Sequence, residues 1–147
     1  MSKSGRISNP IPQGKYVPAS RFGNMIYTAG MTPRNNGVLI QKGKVSIDQP
    51  AGVYKAAVRQ SVANALTAAR NLLADQEQFE QIISLTVYIN AEEGFEAHSS
   101  LADFASDYLY EELGEAGIGS RAAIGVASLP GNAPVEIQVI AGVTAES

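Results

Sequence analysis

The clearest pattern along the chain is an alternation of apolar and polar residues in the segment QIISLTVYIN, residues 81–90. Such alternation is typical of a strand with one buried face. The apolar set expected to face the core is Ile83, Leu85, Val87 and Ile89. Near the C-terminus, the apolar run SRAAIGV and the alternating segment VEIQV flank a turn rich in Pro, Gly and Asn, and we interpret them as two strands of a hairpin.

Two other segments repeat their apolar residues at helical spacing. The first, from about residue 51 to residue 75, places Val58, Val62 and Leu66 on one face. The second, from residue 94 to about residue 113, ends before the glycine-rich stretch 114–119. The residues it is expected to bury are Phe95, Leu101, Phe104, Ala105, Tyr108 and Leu109.

Turn residues divide the first 40 positions. Phe22-Gly23-Asn24 separates two short segments of strand-forming residues and predicts a tight hairpin. Asn35-Asn36-Gly37 predicts a second turn, which a short strand at residues 38–40 follows.

The resulting order of strands, helix, strand, helix and strands predicts an α+β two-layer sandwich, in which two helices cover one face of a mixed sheet. No helix is left for the other face, and small proteins of this shape often cover such a face by forming oligomers. With 147 residues and no internal repeat, we expect a single domain spanning 1–147, with a loose N-terminal segment at 1–14.

Composition narrows the classes of function. The net charge of −3 and the lack of a Lys/Arg cluster do not favour nucleic-acid binding. The absence of cysteine excludes thiolate chemistry and disulfides and is compatible with a reducing cytosol. The opening segment lacks the apolar core of a signal peptide, and no run approaches the roughly 18 apolar residues of a membrane span, so we expect a cytoplasmic protein.

The two closing strands each contain one isolated charge, Arg121 and Glu136. If Ala122, Ile124 and Val126 face the core, the other face of their strand carries only Arg121, a methyl at Ala123 and a hydrogen at Gly125. In a simple hairpin Glu136 would lie opposite Gly125 on that same face. The pattern thus predicts a small pocket with charge at its edges.

The chemistry of this pair suits a small carboxylic acid. A guanidinium binds a carboxylate through two parallel hydrogen bonds, and a partly buried glutamate has its pKa raised, which lets it exchange protons near neutral pH. The alternative is a structural ion pair, which is at least as common as a catalytic one. The single histidine, His98, is interpreted as a solvated residue on the polar side of the second helix, since a metal site needs several ligands.

Several motifs resemble the YjgF family, also called the Rid or reactive intermediate deaminase family. They are YVPA, FGNMIYTAG, SLTVYIN and GEAGIGSRAAIGVASLPGNAPVEIQVIA, and the resemblance extends from about Tyr16 to Val143. The longer GEAG segment that precedes the arginine resembles the sequences of a less characterised branch of this family. The resemblance implies a chorismate-mutase-like fold, a homotrimer with pockets at subunit interfaces, and hydrolysis of enamines and imines such as 2-aminoacrylate to 2-keto acids and ammonia, without a metal or cofactor.

Position by position, the resemblance assigns Arg121 to carboxylate binding and Glu136 to positioning the attacking water. It places Tyr16, Gly30, Met31 and Ala123 in the substrate-binding pocket. Where members often have Ser-Gly-Gln, this chain has Ala29-Gly30-Met31, and Ala123 and Gly125 stand where Cys and Glu are frequent.

These replacements make the pocket less polar and leave a second hypothesis, a trimeric binding protein for small carboxylates without turnover. A third, RNA cleavage, has been claimed for relatives, but the acidic net charge argues against it.

Overall fold

A computed structural model describes residues 7–144. The strands are β1 (Ala19–Phe22), β2 (Met25–Thr28), β3 (Arg34–Asn35), β4 (Val38–Leu39), β5 (Gln78–Asn90), β6 (Ser120–Val126) and β7 (Val135–Thr144), and the helices are α1 (Lys55–Arg70) and α2 (His98–Leu113). Short 3-10 turns occupy Ala51–Tyr54, Gly114–Gly117 and Pro130–Asn132. No helix within the described residues is long and apolar enough to cross a membrane.

The main sheet has five strands in the order β1-β2-β7-β5-β6. All neighbouring pairs are antiparallel except β5 and β6, which are parallel. The short β3–β4 pair forms a separate ribbon. The mixed sheet predicted from the sequence is therefore confirmed, but the strand expected at residues 38–40 does not join it.

Both helices pack on one face of the sheet, as predicted. Val58 and Leu66 of α1 and Leu101 of α2 are buried in one core with Val87 of β5 and Ile137 of β7. The helices are shorter than their apolar patterns indicate, since α1 begins at Lys55 after a 3-10 turn and α2 begins at His98.

The predicted hairpin between the last two strands is wrong, because β5 lies between β6 and β7. The chain leaves β5, passes through α2 and returns as β6 parallel to β5, as a strand-helix-strand unit does. Residues 127–134 then cross the end of β5, where Lys44 donates hydrogen bonds to the Asn90 side chain at 3.0 Å and to the carbonyl of Ala127 at 2.6 Å. Asn90 in turn donates to the carbonyl of Ala133 at 3.0 Å.

The turns predicted from glycine and asparagine are confirmed. Gly23, with φ of 61°, connects β1 to β2, and Asn36 and Gly37, with φ of 55° and 83°, connect β3 to β4. These left-handed conformations are those that Gly and Asn adopt at low cost.

The start of β5 departs from the predicted alternation. A register shift against β7 between Ile82 and Ser84 buries Ile82 completely and leaves Ile83 38% exposed. The prediction that Ile83 faces the core is therefore wrong, because an irregularity in the pairing reverses the parity of the residues before it.

The glycine-rich stretch before β6 allows backbones to approach closely. A Cβ on Gly117 would collide with the carbonyl oxygen of Leu109, and one on Gly119 with the carbonyl oxygen of Ile82. These glycines are thus explained by packing of β6 against α2 and β5.

Candidate active site

Glu136 lies on the sheet face that the helices leave open. Its neighbours along β7, Val135 and Ile137, are fully buried in the core, so its own side chain points the other way. The adjacent residue across the sheet is Tyr88 of β5. Glu136 is half-buried, and this desolvation raises the pKa of its carboxyl. It is therefore suited to exchange protons nearer to neutral pH than an exposed glutamate.

A bulge after β2 places Gly30 against this carboxyl. Tyr27 pairs with Ile140 and Met31 with Ile137, so four steps along one strand match three along β7. Met31 and Ile137 exchange both backbone hydrogen bonds, at 2.7 and 2.9 Å. A Cβ on Gly30 would collide with the Glu136 carboxyl, so only glycine fits while this carboxyl keeps its position.

Gly30 also borders a cleft of about 600 Å³. Tyr16 and Met31 line the same cleft, together with the segment 7–13, the loop that carries β3 and β4, and one side of α1. Tyr16 is 49% exposed and its hydroxyl accepts a hydrogen bond from the backbone of Gln13 at 3.0 Å. Met31 is only 6% exposed and packs in the core, so it offers the cleft little surface.

Arg121 lies on the other face of the sheet. It is in register with Leu85, whose side chain is in the core, and its guanidinium reaches side chains of α2. It donates to Asp103 at 2.8 Å, to Ser106 at 3.0 Å and to the Ser99 hydroxyl at 2.8 Å. The guanidinium is thus already held in place and partly neutralised by Asp103.

The prediction of which β6 residues face the core is consequently wrong. Ala122 and Ile124, expected in the core, are exposed on the open face, and Ala123 lies on the helix side with Arg121. The reason is that β6 is the edge strand and faces the polar first turns of α2 there, so its helix side carries a charge and small residues.

A second pocket, open to solvent and of about 430 Å³, surrounds Arg121. Its other lining residues are Glu96, His98, Ser99 and Ala123. His98 was not expected here. Its imidazole covers Gly125, where a Cβ would lie 2.8 Å from Nε2. The available sequence signal was the glycine at 125, which leaves room for a ring from another element.

The predicted site residues are therefore divided within one chain. Tyr16, Gly30 and Met31 line the cleft beside α1, Glu136 lies on the open sheet face against Gly30, and Arg121 and Ala123 line the pocket on the helix side. The expectation that Arg121 and Glu136 share one hollow within a chain is wrong, because they lie on opposite faces and β5 separates their strands.

Comparison with known proteins decides the family. A model described as Endoribonuclease L-PSP matches residues 6–143. The chain belongs to this family, which includes YjgF, as its motifs predicted. The L-PSP/YjgF fold is also found in the structure of the YjgF gene product from E. coli, which is 27% identical with a TM-score of 0.64 and aligns over 91% of this chain and 92% of that one.

Two further proteins are similar to this chain. The protein Atu1372 from Agrobacterium tumefaciens, of unknown function, is 30% identical with a TM-score of 0.80, over 94% of this chain and 87% of that one. Protein TCP17 from Trypanosoma cruzi is 27% identical over 130 residues, which are 88% of this chain and 81% of its own length. The family and the fold are thereby established.

Proposed function

We propose that this L-PSP/YjgF protein hydrolyses small enamines and imines of the 2-aminoacrylate type to 2-keto acids and ammonia. The observation that carries the proposal is the Glu136 carboxyl, which is half-buried against Gly30 and has a raised pKa. Arg121 supplies a cation of fixed orientation for the substrate carboxylate.

The proposed site is formed between two subunits of a cyclic homotrimer. The open sheet face of one copy, with Glu136, would lie against the β6 edge of the next copy, with Arg121. Head-to-tail contacts of this kind close into a ring and give one site per interface. Tyr27 of β2 is 44% exposed and Ile124 of β6 is 43% exposed on the open face, and the next subunit would cover both.

In the proposed reaction, the Arg121 guanidinium binds the carboxylate while the enamine takes a proton from solvent at its terminal carbon and becomes the iminium ion. Glu136 accepts a proton from water as the water oxygen attacks the iminium carbon. The same carboxyl then returns the proton to the nitrogen, the C–N bond breaks as the new hydroxyl loses its proton to solvent and becomes the keto oxygen, and ammonia and the 2-keto acid leave.

The test is a coupled assay in which a dehydratase generates 2-aminoacrylate and the release of pyruvate and ammonia is followed. Wild type should accelerate release, and Glu136→Gln should lower that acceleration by about 100-fold or more, the usual contribution of a general acid-base group. Glu80→Gln, an exposed change on β5, is the matched control and should behave as wild type. An unchanged rate with wild type would refute the deaminase.

A binding protein without turnover is the second candidate. The observation that favours it is the Asp103–Arg121 ion pair at 2.8 Å, together with the absence of reactive side chains at Ala29, Ala123 and Gly125. Such a protein would bind pyruvate or 2-ketobutyrate in a manner that Arg121→Ala abolishes, yet would leave the coupled assay unchanged.

The family description raises RNA cleavage as a third candidate. The net charge of −3 does not favour a polyanionic substrate. Incubation of RNA with wild type and Glu136→Ala separates the cases, since cleavage that Glu136→Ala removes would assign the nuclease to this site and equal cleavage would assign it elsewhere.

A further inference from the structure

We propose that His98 is a specificity-determining residue of the Arg121 pocket, and that this pocket takes a small carboxylate with an uncharged hydrogen-bonding group, a hydroxyl or carboxamide, a few bonds away. The inference rests on the proposed capture of a carboxylate by Arg121 and adds what lies at the other end of the ligand.

The floor of this pocket is nearly free of side chains. Arg121, Ala123 and Gly125 follow one another on the helix side of β6, so beyond the guanidinium stand only a methyl group and a hydrogen. Gly125 is glycine for a local reason, since a Cβ there would approach His98 Nε2 to 2.8 Å. The space above the strand is therefore closed at one end by the guanidinium and at the other by the imidazole.

His98 is held in this position by an aromatic contact. Its ring meets Phe95 edge-on, with centroids 4.9 Å apart and an interplanar angle of 63°. Neither ring nitrogen hydrogen bonds to another residue within 7–144, and the ring lines the pocket beside Arg121. The imidazole thus has both a donor and an acceptor free for a ligand.

The guanidinium that would bind the carboxylate end of the ligand lies close to this ring. Arg121 donates to the hydroxyl of Ser99, the residue that follows His98, so guanidinium and imidazole are anchored on the same turn of α2. A carboxylate that takes the place of Asp103 on the Arg121 guanidinium would leave the next few atoms of the ligand over Ala123, facing His98.

Glu96 determines which charge the ligand group near His98 can carry. Its exposed carboxylate lines the same pocket, so it disfavours a second anion and favours a group with a hydrogen to donate. Imidazole and carboxylate together match a hydroxyl or carboxamide, which both accepts and donates.

The experiment measures the affinity of the full-length protein for butanoate, 4-hydroxybutanoate and succinate by calorimetry. Wild type should bind 4-hydroxybutanoate about fivefold to tenfold more tightly than butanoate, as one additional hydrogen bond provides. His98→Phe keeps an aromatic ring but no ring nitrogen, and should remove this preference while changing butanoate affinity less than about twofold. His98→Asn, which keeps a donor and an acceptor, should retain part of it.

Each outcome bears on a different statement. Equal affinity for butanoate and 4-hydroxybutanoate in wild type, a preference that persists in His98→Phe, or tighter binding of succinate would overturn the role of His98 and leave carboxylate capture intact. Failure of all three acids to bind wild type, or binding that Arg121→Ala does not weaken, would overturn carboxylate capture itself. Thermal unfolding of each variant shows whether it is folded.

Discussion

The carboxyl of Glu136 is half-buried on an open sheet face, and among residues 7–144 no cation compensates for its burial. Desolvation therefore raises its pKa above the ordinary value of 4.5. Because the folded protein then holds a proton that the unfolded chain has released, stability falls as pH rises from about 4.5 through the folded value.

Glu136→Gln should remove this pH-dependent loss. We expect its melting temperature to equal that of wild type near pH 4 and to exceed it at pH 7.5. Scanning calorimetry across this range, with Glu80→Gln as the control, measures the difference. Melting curves of Glu136→Gln and wild type that stay parallel from pH 4 to pH 7.5 would contradict the raised pKa.

Gly30→Ala tests the contact between the bulge and the carboxyl. The added Cβ would occupy the position of the Glu136 carboxyl, which can move because it ends a flexible side chain. We therefore expect about tenfold or greater loss of activity with a change in melting temperature of about 2 °C or less. Gly52→Ala is the matched control, since nothing lies within 4 Å of its Cβ. Full activity in Gly30→Ala would show that the position of the carboxyl is unimportant.

The candidate site residues could be selected from the sequence, but the direction of their side chains could not. Glu136 faces away from the core as its alternation with Val135 and Ile137 indicates. On β6 the apolar residues Ala122 and Ile124 point outward, because an edge strand beside the polar start of α2 buries little on its helix side. His98 was missed for the same reason, since its position depends on how α2 crosses β6.

At the level of elements, one ion pair connects the β1–β2 hairpin to the loop between α1 and β5. Arg21 donates to both carboxylate oxygens of Glu77, at 2.6 and 2.8 Å, and Glu77 also accepts from the backbone of Ala74 at 2.8 Å. The hydrogen bonds from Arg21, then that from Ala74, lower the pKa of Glu77 to about 2.

Glu77→Gln should destabilise the protein at neutral pH. A lowered pKa in the folded state gives stability that is present above the ordinary value of 4.5 and is lost as pH falls towards about 2. Wild type should therefore melt above Glu77→Gln at pH 7, and the difference should shrink between pH 4.5 and pH 2. Circular dichroism melts with Glu80→Gln as control measure it, and a difference that persists at pH 2 would assign the effect to packing.

Local signals were sufficient for most elements and insufficient for their pairing. Turn residues and periodicity located both hairpins, both helices and β5. The order of the strands depends on contacts between distant segments, and the eight residues 127–134 are long enough either to form a hairpin loop or to cross β5. Pairing of β6 with β5 and the register shift at Ile82 follow from the whole sheet and carry no local signature.

At the scale of the whole molecule, Arg121 and Glu136 lie on opposite faces of the sheet, so the proposed trimer must bring them together from two different subunits. If each site combines Arg121 of one subunit with Glu136 of the next, Arg121→Ala and Glu136→Gln subunits should complement each other. In a mixed ring, one interface contains both native residues, another contains neither, and the third contains one.

Unfolding and refolding an equimolar mixture of the two inactive variants should therefore restore about one quarter of wild-type activity, because three in four randomly assembled rings are mixed and each has one native site. Light scattering must confirm the trimer, and each variant refolded alone is the control. If both residues act within one chain, the mixture stays inactive, since no subunit carries both. Mixing the folded variants without unfolding should give no activity at first. Activity should then appear only as fast as subunits exchange between rings. A contaminating enzyme would be active from the start, so the time course separates it from complementation.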